Sequence, residues 1–392
     1  YLARFPDGAE SGQAIMVGSL DGEPAVEIGR SPAAAAYASG YLLYLRESTL
    51  MARAFDPSSL EFGGEAVPVV EQVALLSTGT ARAVFSPSET GTLATQSGLT
   101  QAGGILRWKD RNGDVISEVG EPGRLYAVEL SPDGNLAVVV IGDPETGSGD
   151  LWILELERGL LTRFTSDEGN EFAPLWSPDG SEIVYTSSNA GIYRLVRKAV
   201  EGSGAGEVIL EAEDNRLVRD WGPDGRSLLL TAQRKDTNWD QLVLDLEGEP
   251  EARDLIVTEF SEGDGQLSPD KRWILYQSNE SGRFEVYVQP YPGPGRTLRA
   301  STAGGLWPRW SADGTEIFYQ SFSGALMAVP VRSTGGGLTL SPAEELFTGA
   351  STDNGSQYDI TGDGRFLVIE PIAEQQPEPV MVLMNWPAVL DR

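Results

Sequence analysis

The stretch Glu171-Phe-Ala-Pro-Leu-Trp176-Ser-Pro-Asp-Gly180-Ser-Glu-Ile183-Val-Tyr185-Thr-Ser decides the fold of this chain. Its first part is largely apolar and ends at Trp176. Ser177-Pro178-Asp179-Gly180 then supplies a tight turn, because proline fixes φ and glycine accepts a positive φ. The run Ile183-Val184-Tyr185 is β-branched and aromatic and is too short for a helix. The stretch therefore predicts a β-hairpin.

The same hairpin recurs along the chain. Each copy has a large apolar residue, a turn and a second apolar run, and the turns begin at Ser86, Ser131, Ser177, Gly222, Ser268, Ser311 and Thr361. A repeat of about 45 residues with strand-type content is typical of a β-propeller blade.

Two further strand candidates follow each hairpin, such as Gly191–Val196 and Glu207–Leu210 after Gly180. Four short strands make one blade. A single sheet of this size cannot bury both faces, so neighbouring sheets must stack, and a closed ring leaves no repeat exposed. Proline and glycine recur too often for helical repeats. The sequence predicts an all-β propeller of four-stranded antiparallel blades.

The blade number has two solutions. A weaker repeat at Tyr37–Tyr44 raises the count to eight, which gives a single propeller over residues 1–392, closed by residues 1–30 and 356–392. The last repeat would then consist of the Thr361 hairpin, Val380–Trp386 and a strand from the N-terminus. Alternatively, six blades form one ring with a boundary near residues 113–120, and the preceding residues belong to a second propeller. We prefer eight, because one ring uses all the residues.

The repeat resembles the TolB-like, WD40-like (PD40) propeller repeat, whose core is an aromatic residue followed by Ser-Pro-Asp-Gly, as at Trp176–Gly180. The segments Ser278–Gly295, Gly324–Val331 and Val382–Trp386 are similar to the C-terminal propellers of bacterial membrane-anchored Ser/Thr protein kinases. The resemblance covers essentially the whole chain. It implies a non-catalytic module and carries over no catalytic residues. The kinase region itself is absent from this sequence, which has no His and therefore no His-Arg-Asp loop.

The composition excludes several functions. The net charge of −29, from 29 basic and 58 acidic residues, opposes binding to nucleic acid and adsorption to anionic lipid. Without Cys or His there is no disulfide, thiolate nucleophile, Ser-His-Asp triad or His-based zinc site. No lysine follows a glycine, which excludes a Walker A loop, and no apolar stretch is long enough to cross a bilayer. We expect no catalytic residue, no cofactor, no metal and no direct membrane insertion.

The candidate site residues are few. Asp110-Arg-Asn112-Gly-Asp114 is similar to a calcium loop, but Val115 stands where that loop needs glycine, so a hairpin turn at Asn112-Gly113 is preferred. The repeated turn aspartates are expected to bind their own turn backbone. Trp176, Trp221 and Trp310 are expected in the core between blades. This leaves Trp239 and Trp307, in or near loops, as the candidate partner contacts.

These patterns favour a non-catalytic protein-interaction or sensing scaffold of the bacterial cell envelope. We expect it on the periplasmic or extracellular side, with a protein partner. One alternative is a structural subunit docked on a larger membrane protein assembly. A second is a carboxylate-dependent glycosidase or lyase that uses the central funnel, which a pair of inward carboxylates about 5–10 Å apart would favour.

Overall fold

The computed structural model describes residues 2–3, 13–18, 25–31, 33, 35–46, 48–73, 75–76, 82–96, 103–143, 148–167, 169–189, 191–202, 204, 206–235, 237–248, 250–293, 295–334, 337–349, 357–372 and 380–390. The chain divides into two compact units, which we describe separately. Unit 1 comprises residues 1–102 and 373–392, and unit 2 comprises residues 103–372. Along the sequence, unit 2 therefore lies between the two segments of unit 1.

The strands of the first segment of unit 1 are β1 Leu2–Ala3, β2 Gln13–Val17, β3 Val26–Ser31, β4 Ala36–Ala38, β5 Tyr41–Arg46, β6 Thr49–Asp56, β7 Glu61–Val70, β8 Leu75–Leu76, β9 Arg82–Ala83, β10 Phe85–Pro87 and β11 Thr92–Thr95. The strands of unit 2 are β12 Gly104–Lys109, β13 Val115–Gly123, β14 Leu125–Leu130, β15 Leu136–Gly142, β16 Gly149–Glu155, β17 Leu160–Arg163, β18 Asn170–Trp176, β19 Glu182–Asn189, β20 Ile192–Ala199, β21 Glu207–Ala212, β22 Arg216–Trp221, β23 Ser227–Arg234, β24 Asn238–Asp245, β25 Ala252–Ile256, β26 Glu262–Leu267, β27 Trp273–Ser278, β28 Glu285–Pro290, β29 Leu298–Arg299, β30 Leu306–Trp310, β31 Glu316–Gln320, β32 Ala325–Thr334, β33 Gly337–Leu340, β34 Glu344–Thr348, β35 Tyr358–Ile360 and β36 Phe366–Pro371. Unit 1 ends with β37 Met381–Met384 and a 3₁₀ helix, Trp386–Val389.

The described strands of unit 1 form small antiparallel sheets. β4 to β7 make a four-stranded sheet, and β1, β2 and β3 make a three-stranded one. A further sheet has the order β10-β11-β37 and joins the two segments of the unit, with Thr92 opposite Met384. Leu43, Leu50 and Trp386 are fully buried in the core that these sheets share.

The described strands of unit 2 form six sheets that follow one another along the chain. Four run in sequence order from β14 to β29. The fifth has the order β30-β31-β32-β33 with β34 also paired to β32, and the sixth has the order β13-β12-β36-β35. Contacts run from β14 to β18, β22, β26 and β30, which are the first strands of successive sheets, and β35 contacts β14. The Tyr358 hydroxyl on β35 donates to the Trp307 carbonyl on β30 and links the last two sheets. The six sheets therefore form a closed ring, and the innermost strands are β14, β18, β22, β26, β30 and β35. The all-β propeller with four-stranded antiparallel blades is confirmed.

Ring closure differs from the expectation for the last repeat. β12 pairs with β36 over six residues, from Gly104 opposite Pro371 to Lys109 opposite Phe366. The Thr361 hairpin is thus completed by residues 104–123, whereas Val380–Trp386 pairs with β11 in unit 1. The eight-blade count and the single ring over residues 1–392 stay predictions, and the sheet order of unit 2 favours the six-blade alternative.

The repeated turn forms as the sequence indicates. Blades are numbered from the sheet that starts with β14. In the second blade, β18 to β21, the Ser177 hydroxyl donates to Asp179 Oδ1 at 2.7 Å, and the Ser181 N–H donates to the same oxygen at 3.0 Å. Gly180 has φ 73°, a conformation that side chains with a Cβ rarely adopt. The turn aspartates bind their own turn backbone, as expected.

The repeated tryptophans fill the core between blades. Trp176 packs with residues of the first and second blades, among them Val138 and Tyr185. Trp221 and Trp310 are buried in the same way against their preceding blades. The prediction for these three residues is confirmed.

Candidate functional site at the ring axis

One position recurs from blade to blade on the innermost strands that surround the ring axis. It is the residue directly before the large apolar residue that ends the strand or starts the turn, and in chain order it is Glu129, Leu175, Asp220, Gln266, Arg309 and Asp359. Most members of this set are polar or charged, although they lie in strands that are otherwise apolar. Five of these six strands also contain an irregularity in pairing. A β-bulge re-aims the side chains that follow it.

Arg309 links three blades. Its Nη1 and Nη2 donate to Glu129 Oε1 at 3.2 Å and Oε2 at 2.5 Å, and Nη1 lies 3.4 Å from Asp359 Oδ1. The side chains of Arg309, Glu129 and Asp359 are only 13%, 17% and 12% exposed. Because the closing blade separates the blades of Arg309 and Glu129, a direct contact between these two side chains has to pass close to the axis.

The axial side chains also complete the backbone of the neighbouring blade. Asp359 Oδ2 accepts the Leu130 N–H at 2.7 Å, and Asp220 Oδ2 accepts the Leu267 N–H at 2.9 Å. An innermost strand is the edge of its sheet, so the N–H groups on the side that faces away from its own sheet have no ladder partner. One role of the axial residues is therefore to pair these groups and join successive blades.

Burial changes the protonation of the axial carboxyls. It raises the pKa of Glu129 to about 7, with Arg309 opposing the rise and Asp359 adding to it. Burial also raises the pKa of Asp220 to about 8. The hydrogen bond from the Leu267 N–H lowers this pKa, and the charge of Glu129 raises it further. Burial disfavours the charged form of Arg309, but Asp359 and Glu129 outweigh this and raise its pKa. Burial thus brings the pKa values of Glu129 and Asp220 close to neutral pH.

A second set of buried carboxyls lies at the opposite ends of the blades from the turns. Glu285 accepts the Ser301 hydroxyl and, at 3.0 Å, the Gly304 N–H. Glu262 accepts the Thr258 hydroxyl at 2.6 Å, and burial raises its pKa. Glu285 also accepts from Arg283 Nε at 2.8 Å. All these partners lie in the same region as the carboxyls, so the contacts are structural.

The predicted partner contacts lie in separate blades. Trp239 is half-buried near the start of β24, in the third blade of unit 2 counted from β14. Trp307 is half-buried near the start of β30, in the fifth blade. Its N–H donates to Gln277 Oε1 at 3.0 Å, and its carbonyl accepts the Tyr358 hydroxyl at 2.8 Å. Their role in partner binding stays a prediction.

The axial residues are the part of the site that the sequence reasoning missed. The signal was present, since Glu129, Asp220, Gln266 and Arg309 each precede the apolar residue on which the repeats were aligned. The calcium-like segment is a turn: Asp110 Oδ1 accepts the N–H groups of Asn112 and Asp114, each at 2.9 Å. Within the described residues, no group of three or more acidic side chains is arranged to hold a metal ion.

Comparison with known proteins agrees with this architecture. Residues 111–288 match the family model described as TolB beta propeller domain, PD40. The chain contains a TolB-like β-propeller. The solved structure of a putative TolB from Agrobacterium tumefaciens is similar to it with a TM-score of 0.55 and 19% identity, over 70% of this chain and 99% of that one. At this identity the likeness shows the fold alone.

Two curated relatives of this TolB-like propeller match parts of it. The uncharacterized peptidase YuxL of Bacillus subtilis is 24% identical over 190 residues, which are 38% of this chain and 29% of that protein. The uncharacterized protein Atu1656 of Agrobacterium fabrum is 25% identical over 174 residues, 43% of this chain and 46% of that protein. The chain thus spans less than half the length of these relatives. Among its described residues, no helix is long and apolar enough to cross a membrane.

Proposed function

We propose that this TolB-like propeller is a non-catalytic scaffold of the bacterial cell envelope that binds a protein partner or senses a ligand outside the cytoplasm. The proposal depends on the hydrogen bonds that the axial carboxylate oxygens already accept within the protein. Both Glu129 oxygens accept from Arg309, and the two Asp359 oxygens accept the N–H groups of Leu130 and Ile360. A glycosidase needs one carboxyl as acid and a second as base or nucleophile. At this axis, those oxygens hold blades together.

One end of the ring is the better surface for a partner. Antiparallel pairing places the starts of the first and third strands of each blade at the end opposite the Ser-Pro-Asp-Gly turns. Phe260, just before β26, is 37% exposed there, and Phe322, between β31 and β32, is 49% exposed. Trp239 and Trp307 lie at the same end, near the starts of β24 and β30. Aromatic side chains are enriched at protein interfaces.

The experiment is affinity capture from an envelope extract with the full chain, compared with a Trp239→Ala/Phe322→Ala double variant. Leu161→Ala, at an exposed site on the outer strand β17, is the matched control. We expect one protein that the wild-type chain and the control capture at equal levels and that the double variant loses at least tenfold. Capture that is equal for all three chains would contradict the proposed surface.

A second candidate function is a carboxyl-dependent lyase or glycosidase at the axis. The observation that favours it is the raised pKa of Glu129 and Asp220, because general acids have such values. Turnover of an oligosaccharide panel by the wild-type chain, abolished in Glu129→Gln and Asp220→Asn, would establish this function and overturn the scaffold. The relation to kinase-associated propellers stays a prediction.

A further inference from the structure

The charges at the ring axis do not balance. Among the described residues, the charged groups at the axial positions are Glu129 on β14, Asp220 on β22, Arg309 on β30 and Asp359 on β35. Arg219 on β22 and Asp264 on β26 flank these positions and pair with each other. β18 supplies only the apolar Leu175 and the Trp176 indole, which donates to the Glu129 carbonyl at 3.1 Å. Tyr358 on β35 donates its hydroxyl to the Trp307 carbonyl. With the Arg219–Asp264 pair included, the described residues place four carboxyls against two guanidinium groups.

The two guanidinium groups are already paired. Arg309 binds Glu129 and Asp359, and Arg219 Nη1 lies 3.0 Å from Asp264 Oδ1. Asp220 has a backbone N–H partner, from Leu267, but no ion pair among the described residues. Full ionisation would leave a net charge of −2 at a partly buried centre, where an uncompensated charge is unfavourable.

We infer that the axis is a proton-controlled brace, in which proton uptake by Asp220 and Glu129 tightens the ring and their ionisation loosens it. The brace connects the first, third and fifth blades and the closing blade, so it acts on the ring as a whole. This goes beyond the proposed function and needs no partner.

The direction follows from the pKa values. Both carboxyls have a higher pKa in the folded state, about 8 against 3.8 for Asp220 and about 7 against 4.5 for Glu129. The folded state therefore binds these protons more tightly than the unfolded chain does. Their stabilisation is complete below the unfolded values and is lost as the pH rises through the folded values. The window runs from about pH 4 to pH 8.

The experiment compares the full wild-type chain with Asp220→Asn by urea unfolding from pH 5 to pH 9. All the tryptophans except Trp386 lie in unit 2, so their fluorescence reports on the ring. Asparagine keeps an acceptor for the Leu267 N–H and stays neutral. The ratio of the two unfolding constants should change on the order of tenfold per pH unit between pH 5 and pH 7.5, and level off above pH 8. The stability of the variant should therefore increase relative to that of the wild-type chain as the pH rises.

Asp254→Asn is the matched control. A hydrogen bond from Arg234 lowers the pKa of Asp254, so this group is ionised throughout pH 5–9. The curve of stability against pH for Asp254→Asn should therefore run parallel to that of the wild-type chain. A parallel curve for Asp220→Asn as well would overturn the inference.

Carboxyl ¹³C NMR of the wild-type chain tests the same point if Asp220→Asn does not fold. An aspartate carboxyl resonance that titrates between pH 6 and pH 9 supports the brace, because Asp220 is the described aspartate whose pKa burial raises into this range, whereas Glu171 shares the range with Glu129. If every aspartate carboxyl is ionised above pH 6, the inference is wrong.

Discussion

The backbone N–H of Trp310 donates to the side-chain oxygen of Gln266 at 2.6 Å, across the junction between the fourth and fifth blades of unit 2. Gln266 lies on the innermost strand of one blade, and Trp310 ends the innermost strand of the next. The same relationship joins Asp220 to Leu267 and Asp359 to Leu130. The inner rim of the ring is therefore held by side chains that complete the backbone of the neighbouring blade.

Replacing Gln266 with Leu tests this relationship. The Trp310 N–H would lose its acceptor at a buried junction, and an unpaired buried donor costs about 1–3 kcal/mol. We expect a loss of this size in the free energy of unfolding, measured with urea. Gln233→Leu, at an exposed position of β23, is the control and should change stability by less than about 0.5 kcal/mol. Equal losses in the two variants would mean that the hydrogen bond contributes nothing.

Arg309→Met tests the central ion pairs. The variant leaves Glu129 and Asp359 without their cation, and breaking a buried pair on one side costs about 3–5 kcal/mol. Arg226→Met is the control, because its pair with Glu247 is largely exposed and such pairs contribute about 0–1 kcal/mol. The measurement is the free energy of unfolding near pH 8, which lies above the pKa of Glu129. A loss no larger than that of the control would contradict the role of Arg309 in joining blades.

The repeat made most of unit 2 predictable. The strands after the turns contain the predicted runs that begin at Leu136, Leu228, Trp273, Ile317 and Phe366, because β-branched and aromatic runs between turn residues have few other solutions. Ring closure was not predictable in this way. β12 and β36 are more than 250 residues apart in sequence and pair through backbone groups, which carry no sequence signal. The spacing of the hairpins along the sequence does not determine which further strands pair with each hairpin to complete a sheet.

The axial site was predictable only in part. A charged residue within an apolar strand, such as Arg309, indicates a buried polar contact, but not its partner. Glu129 and Arg309 are brought together by the curvature of the ring, which the spacing of the repeats does not fix. The bulge at Trp307, with φ 49°, also falls outside the alternation of a regular strand.

Gly113→Ala tests the hairpin between β12 and β13. Gly113 has φ 85°, and a Cβ there would lie 2.4 Å from the Phe347 Cβ. Gly134 has φ 70° with open space around it, so Gly134→Ala is the control for backbone strain alone, at about 1–2 kcal/mol. Gly113→Ala should lose a further ~1–3 kcal/mol in the free energy of unfolding because of the clash with Phe347. Similar losses in both variants would show that Phe347 moves aside freely.

Asp179→Asn tests the turn carboxylates through their pH dependence. Hydrogen bonds from the Ser177 hydroxyl, the Ser181 hydroxyl and the Ser181 N–H lower the pKa of Asp179 to about 2, from 3.8. A lowered folded pKa stabilises the protein above the unfolded value, and this contribution is lost as the pH falls through the folded value. The difference in urea midpoint between wild type and Asp179→Asn should therefore be constant above about pH 5 and shrink between pH 4 and pH 2. A difference that stays constant down to pH 2 would show that the charge of Asp179 does not stabilise the turn. The sign is opposite to that expected for Asp220, because the exposed turn aspartate binds donors as an anion, whereas the axial aspartate is buried beside other carboxyls.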